Sequence, residues 1–160
     1  MGDGDVTLET PDAPDLAAWI VRSRADYIDE RVEAGDTLAE ATANADASIE
    51  RTFPGGSPGP GQLVRRVMSA GAQIGWLWVG PFGSDPTRWW VWDIVIEEES
   101  RGRGFGRKAM LVAEELARAH GATSLGLNVF AHNAVARALY ASLGFEESSI
   151  QMRKALDGPG

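Results

Sequence analysis

The chain has 160 residues, a length that fits one domain better than two, and its 44% apolar and 24% charged residues are typical of a globular protein. It contains no cysteine, which excludes disulfides, thiolate nucleophiles and cysteine-ligated metal sites. Its two histidines, His120 and His132, are predicted to be structural, and no metal site is predicted. Its net charge of -8 argues against nucleic-acid binding, which needs a basic surface.

The N-terminal residues are acidic and contain no apolar run, so we expect no signal peptide. No apolar stretch along the chain approaches the roughly 20 residues that a membrane-spanning helix requires. The sequence therefore predicts a cytoplasmic protein that has no membrane partner.

The N-terminal third is predicted to be mainly helical. Residues 6–9 favour a short strand, and apolar side chains over residues 16–32 recur at helical spacing. Thr37 and Glu40 have the spacing of a capping box, which predicts the start of a second helix. Residues 54–61 (PGGSPGPG) can form no regular element, and we interpret them as a loop within one domain.

The pattern changes to strands after this loop. Residues 63–68 and 72–79 are strand-like, and residues 89–96 (WWVWDIVI) are typical of a buried central strand. The further predicted elements are helices over 105–120 and 133–143, a strand over 124–130, and a last strand or hairpin over 145–156. This order predicts an α/β (α+β) fold in which helices cover the faces of a mixed sheet.

The most informative segment is the glycine turn, residues 101–106 (RGRGFG), between the central strand and a helix. Glycines let the chain turn sharply and let a ligand approach the main chain, while a helix N-terminus offers free N–H groups and partial positive charge. Arg101, Arg103, Arg107 and Lys108 add positive charge to an otherwise acidic chain. The turn therefore predicts a phosphate or pyrophosphate site, and the alternative is a tight turn with solvated arginines.

Two common nucleotide motifs fit this segment poorly. A P-loop would need Gly-Lys-Ser/Thr, which residues 106–109 do not supply. Residues 104–109 match G-x-G-x-x-A, but no acidic residue ends the next predicted strand, and little chain follows to complete a dinucleotide fold. A nucleotide-dependent oxidoreductase is therefore disfavoured.

Two ordered motifs resemble the GCN5-related N-acetyltransferase (GNAT) family. Its phosphate turn, Arg/Gln-x-x-Gly-x-Gly/Ala, is matched by Arg101, Gly104 and Gly106. Its pattern N-x-x-Ala-x-x-Leu-Tyr-x-x-x-Gly-Phe is matched by Asn133, Ala136, Leu139, Tyr140, Gly144 and Phe145. The resemblance covers about residues 72–156, the cofactor-binding and catalytic core, and residues 12–51 are compatible with the family's variable helical arm. It implies that residues 1–160 form a single N-acetyltransferase domain.

The resemblance implies an acyl-CoA N-acyltransferase-like fold, with a mostly antiparallel sheet, helices on both faces and a splayed pair of parallel strands. It also implies acetyl-CoA as co-substrate, held between those two strands. The implied contacts are the main chain of Ile94, Val95 and Ile96, the turn residues Arg101, Gly102, Arg103, Gly104, Phe105, Gly106 and Arg107, and the helix residues Asn133 and Ala136. For Asn133 the alternative role is that of a helix N-cap.

The resemblance makes Tyr140 the general acid, because a phenol is protonated at pH 7 and can protonate a departing thiolate. The alternative is a packing tyrosine. For the general base the first candidate is Asp93, because a carboxylate inside an apolar strand is costly unless it faces a cleft or pairs with an arginine. Glu97, Glu98 and a water chain are alternatives.

The predicted activity is transfer of an acetyl group to a primary amine of a small molecule or peptide, by direct attack in a ternary complex. The alternative is a non-catalytic acyl-CoA-binding or sensing module on the same fold. The sequence identifies no particular acceptor.

A homodimer is a further hypothesis, based on apolar strand content. The tryptophans that cluster on the strands are interpreted as core or interface: Trp76, Trp78, Trp89, Trp90 and Trp92.

Overall fold

Five strands form one sheet in the structure, a computed structural model that describes residues 4–158. The strands are β1 (Thr7–Glu9), β2 (Leu63–Ser69), β3 (Ala72–Phe82), β4 (Asp85–Ile96) and β5 (Ser124–Leu127). The helices are α1 (Ala13–Glu33), α2 (Leu38–Thr52), α3 (Phe105–Ala119) and α4 (Ala134–Ser142). The strand order is β1-β2-β3-β4-β5, with β4 and β5 parallel and the other pairs antiparallel. The predicted mixed, mostly antiparallel sheet is confirmed.

Local capping explains where the first two helices begin. The Asp12 side chain accepts a hydrogen bond of 2.9 Å from the Asp15 N–H at the start of α1. At the start of α2, Thr37 and Glu40 form the predicted capping box, in which each side chain accepts from the other residue's backbone N–H. Both starts therefore depend on contacts between residues three positions apart.

The sheet packs helices on both faces, as predicted. Along β3, Leu77 and Val79 face the core under α3, whereas Trp76 and Trp78 face the core under α1. The Trp19 ring of α1 lies 6.0 Å from Trp76 and 5.7 Å from Trp78, measured between ring centroids. Strand alternation thus divides the apolar residues between two cores, and Trp19 joins the helical arm to the sheet.

A β-bulge in β4 changes which side chains face which core. Trp78 pairs with Asp93 but Val79 pairs with Val91, so Trp92 is the extra residue. Before the bulge Val91 faces the α3 core, and after it Ile94 does so. Without the extra residue, simple alternation would turn Asp93 toward the α3 core. The bulge instead places Asp93 on the α1 face.

The parallel strands separate partway along their length. β4 pairs with β5 only through Arg88–Val91 and Ser124–Leu127, and β4 then continues to Ile96. We call the gap beyond this pairing the split. The predicted splayed parallel pair is therefore present, although the second strand is shorter than the predicted range of 124–130.

The prediction of a last strand or hairpin over residues 145–156 is wrong. The segment contains no helix or strand, and its apolar side chains Ile150 and Met152 are exposed. Arg153 ties the segment to the end of α1 by donating to the Gly35 carbonyl and the Asp36 carboxylate. Only Phe145, at the start of the segment, packs against the core, so the alternation beyond it gains no burial that would favour a strand.

Candidate active site

The glycine turn leaves an open backbone site at the start of α3. Gly102 and Gly104 have φ angles of 74° and 80°, in the left-handed region that favours glycine. A Cβ at either position would meet no atom within 4 Å, so the space beside the turn is free. Gly104 is the N-cap of α3 and supplies no side-chain cap, so the first N–H groups of the helix can bind an anion.

The basic side chains of this region bind neutral groups. Arg101 donates to the Ile96 carbonyl at 2.8 Å, Arg107 to the Ser142 hydroxyl at 2.5 Å, and Lys108 to the Gly4 carbonyl at 2.7 Å. The Arg103 guanidinium lies 5.0 Å from the centroid of the Phe105 ring. Among the described residues, no carboxylate forms an ion pair with these four side chains. Their positive charge therefore remains to attract an anion.

Two candidate cofactor residues are engaged locally. The Phe105 side chain is buried in the α3 core, so only its backbone is available to a ligand. Asn133 caps α4, because its Oδ1 accepts from the Ala136 N–H at 3.2 Å. This cap is the alternative role considered for Asn133, and it leaves Nδ2 as a donor. A cofactor contact by Asn133 stays a prediction.

The Asp93 carboxylate is largely buried beneath α1, where it accepts a hydrogen bond of 3.3 Å from the Ser23 hydroxyl and another from the Ile94 backbone N–H. Burial raises its pKa from 3.8 to about 6, and the charge of Glu30 adds to the rise. Within residues 4–158 no arginine pairs with Asp93. The structure therefore provides no support for the alternative in which Asp93 is neutralised by an arginine.

The other candidate bases are placed less favourably. Both Glu97 oxygens accept from Arg22 of α1, at 2.7 and 3.0 Å, and this bidentate pair joins α1 to the end of β4. Glu98 is exposed in a short 3₁₀ turn, Glu98–Ser100. Asp93 is therefore the better candidate on geometry.

Tyr140 lies on α4, partly buried, with its ring 5.9 Å from that of Phe145. Burial raises the pKa of its phenol, and the charges of Asp93 and Glu30 raise it further. The Tyr140 side chain also packs against the core under α3. A phenol with a raised pKa stays protonated and can donate its proton.

Sequence reasoning missed the contribution of α1. Ser23 contacts Asp93, and Glu33 lies 3.5 Å from Nε2 of His132, in the loop after β5. A signal was present, because Ser23, Asp26, Glu30 and Glu33 follow Trp19 at spacings of three and four residues. These polar residues therefore continue the same helix face that Trp19 buries.

A cleft of about 640 Å³ lies beside β5 and includes Tyr140 in its lining, together with Trp90 and residues 143–149. The glycine turn lies outside this cleft.

In the described part of the chain, no helix is long and apolar enough to span a membrane. No group of three or more His, Asp or Glu side chains between residues 4 and 158 is arranged to hold a metal ion.

Comparisons with known proteins agree with this architecture. A family model described as "Acetyltransferase (GNAT) family" matches residues 27–145. The Bacillus subtilis (strain 168) protein named uncharacterized N-acetyltransferase YycN is 29% identical over 154 residues, which cover 94% of this chain and 99% of that protein. A second protein of that strain, named uncharacterized N-acetyltransferase YdgE, is 29% identical over 153 residues, covering 94% and 98%.

Solved structures extend the likeness to three dimensions. The crystal structure of YycN matches with a TM-score of 0.86 at 28% identity, covering 96% of this chain and 99% of that one. The aminoglycoside N-acetyltransferase AAC(6')-Iy, solved in complex with CoA, matches with a TM-score of 0.57 over 94% of each chain. At 13% identity, the second likeness concerns the fold alone.

Proposed function

Because the chain belongs to the acetyltransferase (GNAT) family, we propose that it moves an acetyl group from acetyl-CoA to a primary amine of a small molecule or peptide, by direct attack in a ternary complex. Relatives of nearly the same length are named N-acetyltransferases, and the chain is an N-acetyltransferase. One observation carries the proposed mechanism: Asp93 lies on the part of β4 that continues beyond its pairing with β5, and Tyr140 lies on α4, which follows β5 in the chain.

The open glycine turn supports acetyl-CoA as the co-substrate. The uncapped N–H groups of α3 and the four unneutralised basic side chains suit its phosphates. Bound acetyl-CoA would supply an activated acetyl group and a thiolate leaving group. The residues proposed to hold it are the main chain of Ile94, Val95 and Ile96, the turn from Arg101 to Arg107, and Asn133 with Ala136.

Asp93 is proposed to accept the proton of the acceptor's ammonium group. Its carboxylate, with a pKa of about 6, is mostly ionised at pH 7, so it can pair with a cation and then take its proton. The amine nitrogen forms a bond to the acetyl carbon as the bond from that carbon to sulfur breaks. Nitrogen loses two protons in forming the amide: the first moves to Asp93 before the attack, and the second is released to solvent after it.

Tyr140 is proposed to protonate the departing sulfur. Its raised pKa keeps the phenol protonated at neutral pH, and the sulfur leaves as a neutral thiol. The resulting phenolate recovers a proton from solvent while Asp93 releases one, so the enzyme returns to its starting state. No covalent enzyme intermediate is needed in this sequence of steps.

The helical arm is proposed to belong to the same domain as the core, residues 72–156. Trp19 of α1 is buried against β3, and Arg22 and Ser23 contact Glu97 and Asp93 of β4. The arm therefore contributes directly to the surroundings of the proposed base. This packing supports one N-acetyltransferase domain over residues 1–160.

Thiol release tests the proposed activity directly. The purified protein is incubated with acetyl-CoA and a panel of primary amines, and free CoA is measured with a thiol reagent, to which a chain without cysteine adds no background. We expect amine-dependent release, and initial-velocity lines that intersect when both substrates are varied. Parallel lines would contradict direct transfer, and absence of release with every amine would contradict the proposed reaction.

Thermal unfolding tests the co-substrate separately. A ligand at a hundred times its Kd contributes about 2.7 kcal/mol, which raises Tm by roughly 5–10 °C for a chain of this size. We expect such a rise with acetyl-CoA and with CoA, and none with NADH. A rise with CoA but no turnover would favour the non-catalytic binding module, and a rise with NADH alone would contradict acetyl-CoA binding.

A further inference from the structure

The Ser23 hydroxyl of α1 donates its hydrogen bond to a residue of another element. A serine or threonine in a helix commonly donates to a carbonyl of the preceding turn. The hydroxyls of Thr52 in α2 and Ser142 in α4 do so, over 2.6 Å, to carbonyls four and three residues earlier. The Ser23 hydroxyl instead donates to Oδ2 of Asp93, at 3.3 Å and across 70 positions of the chain. The packing of α1 on the sheet therefore determines the partner of this hydroxyl.

Two contacts fix this part of α1 against the sheet. Trp19, one helical turn before Ser23, is buried in the core between α1 and β3. Arg22, next to Ser23, donates to both oxygens of Glu97 just past the end of β4, at 2.7 and 3.0 Å. A bidentate pair of this kind fixes orientation as well as distance. Ser23 therefore lies on a helix segment that is held at two points, so its hydroxyl is preorganised to contact Asp93.

Most of the surroundings of Asp93 disfavour its ionised form. Burial is the main cause of its raised pKa, and the charges of Glu30 and Asp26 on α1 add to the rise. Two donors act in the opposite direction, the Ser23 hydroxyl and the Ile94 backbone N–H. Among residues 4–158, Ser23 is the one residue whose side chain donates a hydrogen bond to Asp93. A side-chain substitution can therefore remove a stabilising donor from this carboxylate at Ser23.

Two further titratable groups respond to the charge of Asp93. The Arg22 guanidinium has a raised pKa, first because of its hydrogen bond to Glu97, and the Asp93 charge adds a smaller rise. The Tyr140 phenol has a raised pKa, first through burial and then through the Asp93 charge, so it stays neutral at neutral pH. Within the described residues neither side chain donates to Asp93. Both groups also keep their protonation state between pH 6 and pH 8.

We propose that Ser23 is a positioning residue for the proposed base, and that its hydroxyl holds the Asp93 carboxylate in the ionised form that takes the acceptor's proton. This inference rests on the proposed acetyl transfer at Asp93. The helical arm, residues 12–51, thereby sets the pH range in which the core works, although both proposed catalytic residues belong to the core. The bond is longer than the usual hydroxyl distance of about 2.7–2.8 Å, so its loss should weaken the ionisation of Asp93 only about three- to tenfold.

A carbon-13 NMR titration of the side-chain carboxyl groups tests the inference without any substrate. The Asp93 resonance is the one that Asp93→Asn removes, which separates it from that of Glu30, whose pKa is also raised by burial. In the wild-type protein Asp93 should titrate near its pKa of about 6. In Ser23→Ala it should titrate at a higher pH, as a three- to tenfold weaker acid. Alanine is a better helix former than serine, so we expect this variant to fold.

The pH profile of the reaction gives a second readout. Because less of Asp93 is ionised in Ser23→Ala, kcat/KM should fall about two- to fivefold at pH 6. At pH 8, where Asp93 is ionised in both proteins, kcat/KM should stay close to the wild-type value. A merely structural role of Ser23 would instead lower kcat/KM by the same factor at both pH values, which would overturn the inference. Ser23→Thr keeps the hydroxyl and should retain the wild-type profile.

Ser48→Ala is the matched control, because Ser48 is also a half-buried serine inside a helix, α2, and in the described part of the chain it forms no hydrogen bond with Asp93. It should leave the titration and the pH profile unchanged. An Asp93 titration that is the same in Ser23→Ala and wild type would overturn the inference while leaving the proposed transfer intact. Absence of turnover in the wild-type enzyme with every amine, despite the expected change in titration, would instead defeat the proposed function on which the inference rests.

Discussion

The glycine turn and the surroundings of Asp93 differ in the sign of their charge. The turn keeps Arg101, Arg103, Arg107 and Lys108 without carboxylate partners among the described residues, and Asp93 forms no ion pair there. Elsewhere, arginines bind carboxylates of the same chain: Arg22, Arg24, Arg31, Arg66, Arg137 and Arg153. The difference indicates where charged ligands are expected, with an anion at the turn and a cation at Asp93.

The two regions also differ in how they are built. The glycine turn uses consecutive residues, and its proposed anion site consists of backbone N–H groups at one helix end. The surroundings of Asp93 join α1 to β4 through residues 70 positions apart, as in the contact between Ser23 and Asp93. Substitutions in the turn should therefore affect cofactor binding, whereas substitutions at Asp93 should affect acceptor chemistry.

The largest expected effect is at Tyr140, the proposed general acid. Tyr140→Phe removes the proton donor but keeps the ring, so kcat should fall by about 10²- to 10⁴-fold. Affinity for CoA should stay almost unchanged, as measured by calorimetry. Tyr27→Phe changes the other tyrosine of the chain and should leave kcat at the wild-type level. Wild-type turnover in Tyr140→Phe would remove Tyr140 from the mechanism.

Asp93→Asn tests the proposed role of Asp93 as the general base. It keeps the shape of the side chain but cannot accept a proton, so kcat/KM should fall about 10²-fold at pH 7.5. In the wild-type enzyme, kcat/KM should rise with pH through about 6, where Asp93 ionises. The variant should lack this rise. An unchanged pH profile in Asp93→Asn would assign the rise to another group.

Asp93→Asn should lower activity but raise the free energy of unfolding at alkaline pH. Because folding raises the pKa of Asp93 from 3.8 to about 6, the folded state holds this proton more tightly, and wild-type stability falls as pH increases between those values. The full cost, on the order of 3 kcal/mol, is present above pH 6. Urea unfolding should therefore show Asp93→Asn to be more stable than wild type at pH 8, and equally stable at pH 4. Lower stability of the variant at pH 8 would contradict the burial of an ionised carboxylate.

A smaller effect is expected from Gly104→Ala in the turn. Gly104 and Gly121, at opposite ends of α3, both have positive φ, and a Cβ at either would meet no atom within 4 Å. Alanine at either position should cost about 1–2 kcal/mol of stability through backbone strain. Only Gly104→Ala should weaken CoA binding, by about tenfold, because its methyl group enters the proposed phosphate site. Equal Kd values for the two variants would place the phosphates elsewhere.

Much of the architecture was predictable because its determinants are local. The capping box of Thr37 and Glu40, the cap at Asn133 and the order of elements as far as α4 follow from residues a few positions apart, and the structure confirms them. The two motifs around Gly104 and Tyr140 also indicate the family from the sequence alone. The roles of Asp93, Tyr140 and Asn133 in binding and catalysis stay predictions.

What the sequence determined by itself was the glycine turn, whose proposed anion site requires only a left-handed backbone and a helix N-terminus. Tertiary structure decided the environment of Asp93, because the bulge at Trp92 reverses the alternation of β4 and turns that carboxylate toward α1. It also left the alternating segment 145–156 without a strand. A bulge and a docked helix depend on contacts between distant residues, and periodicity within a strand carries no information about them.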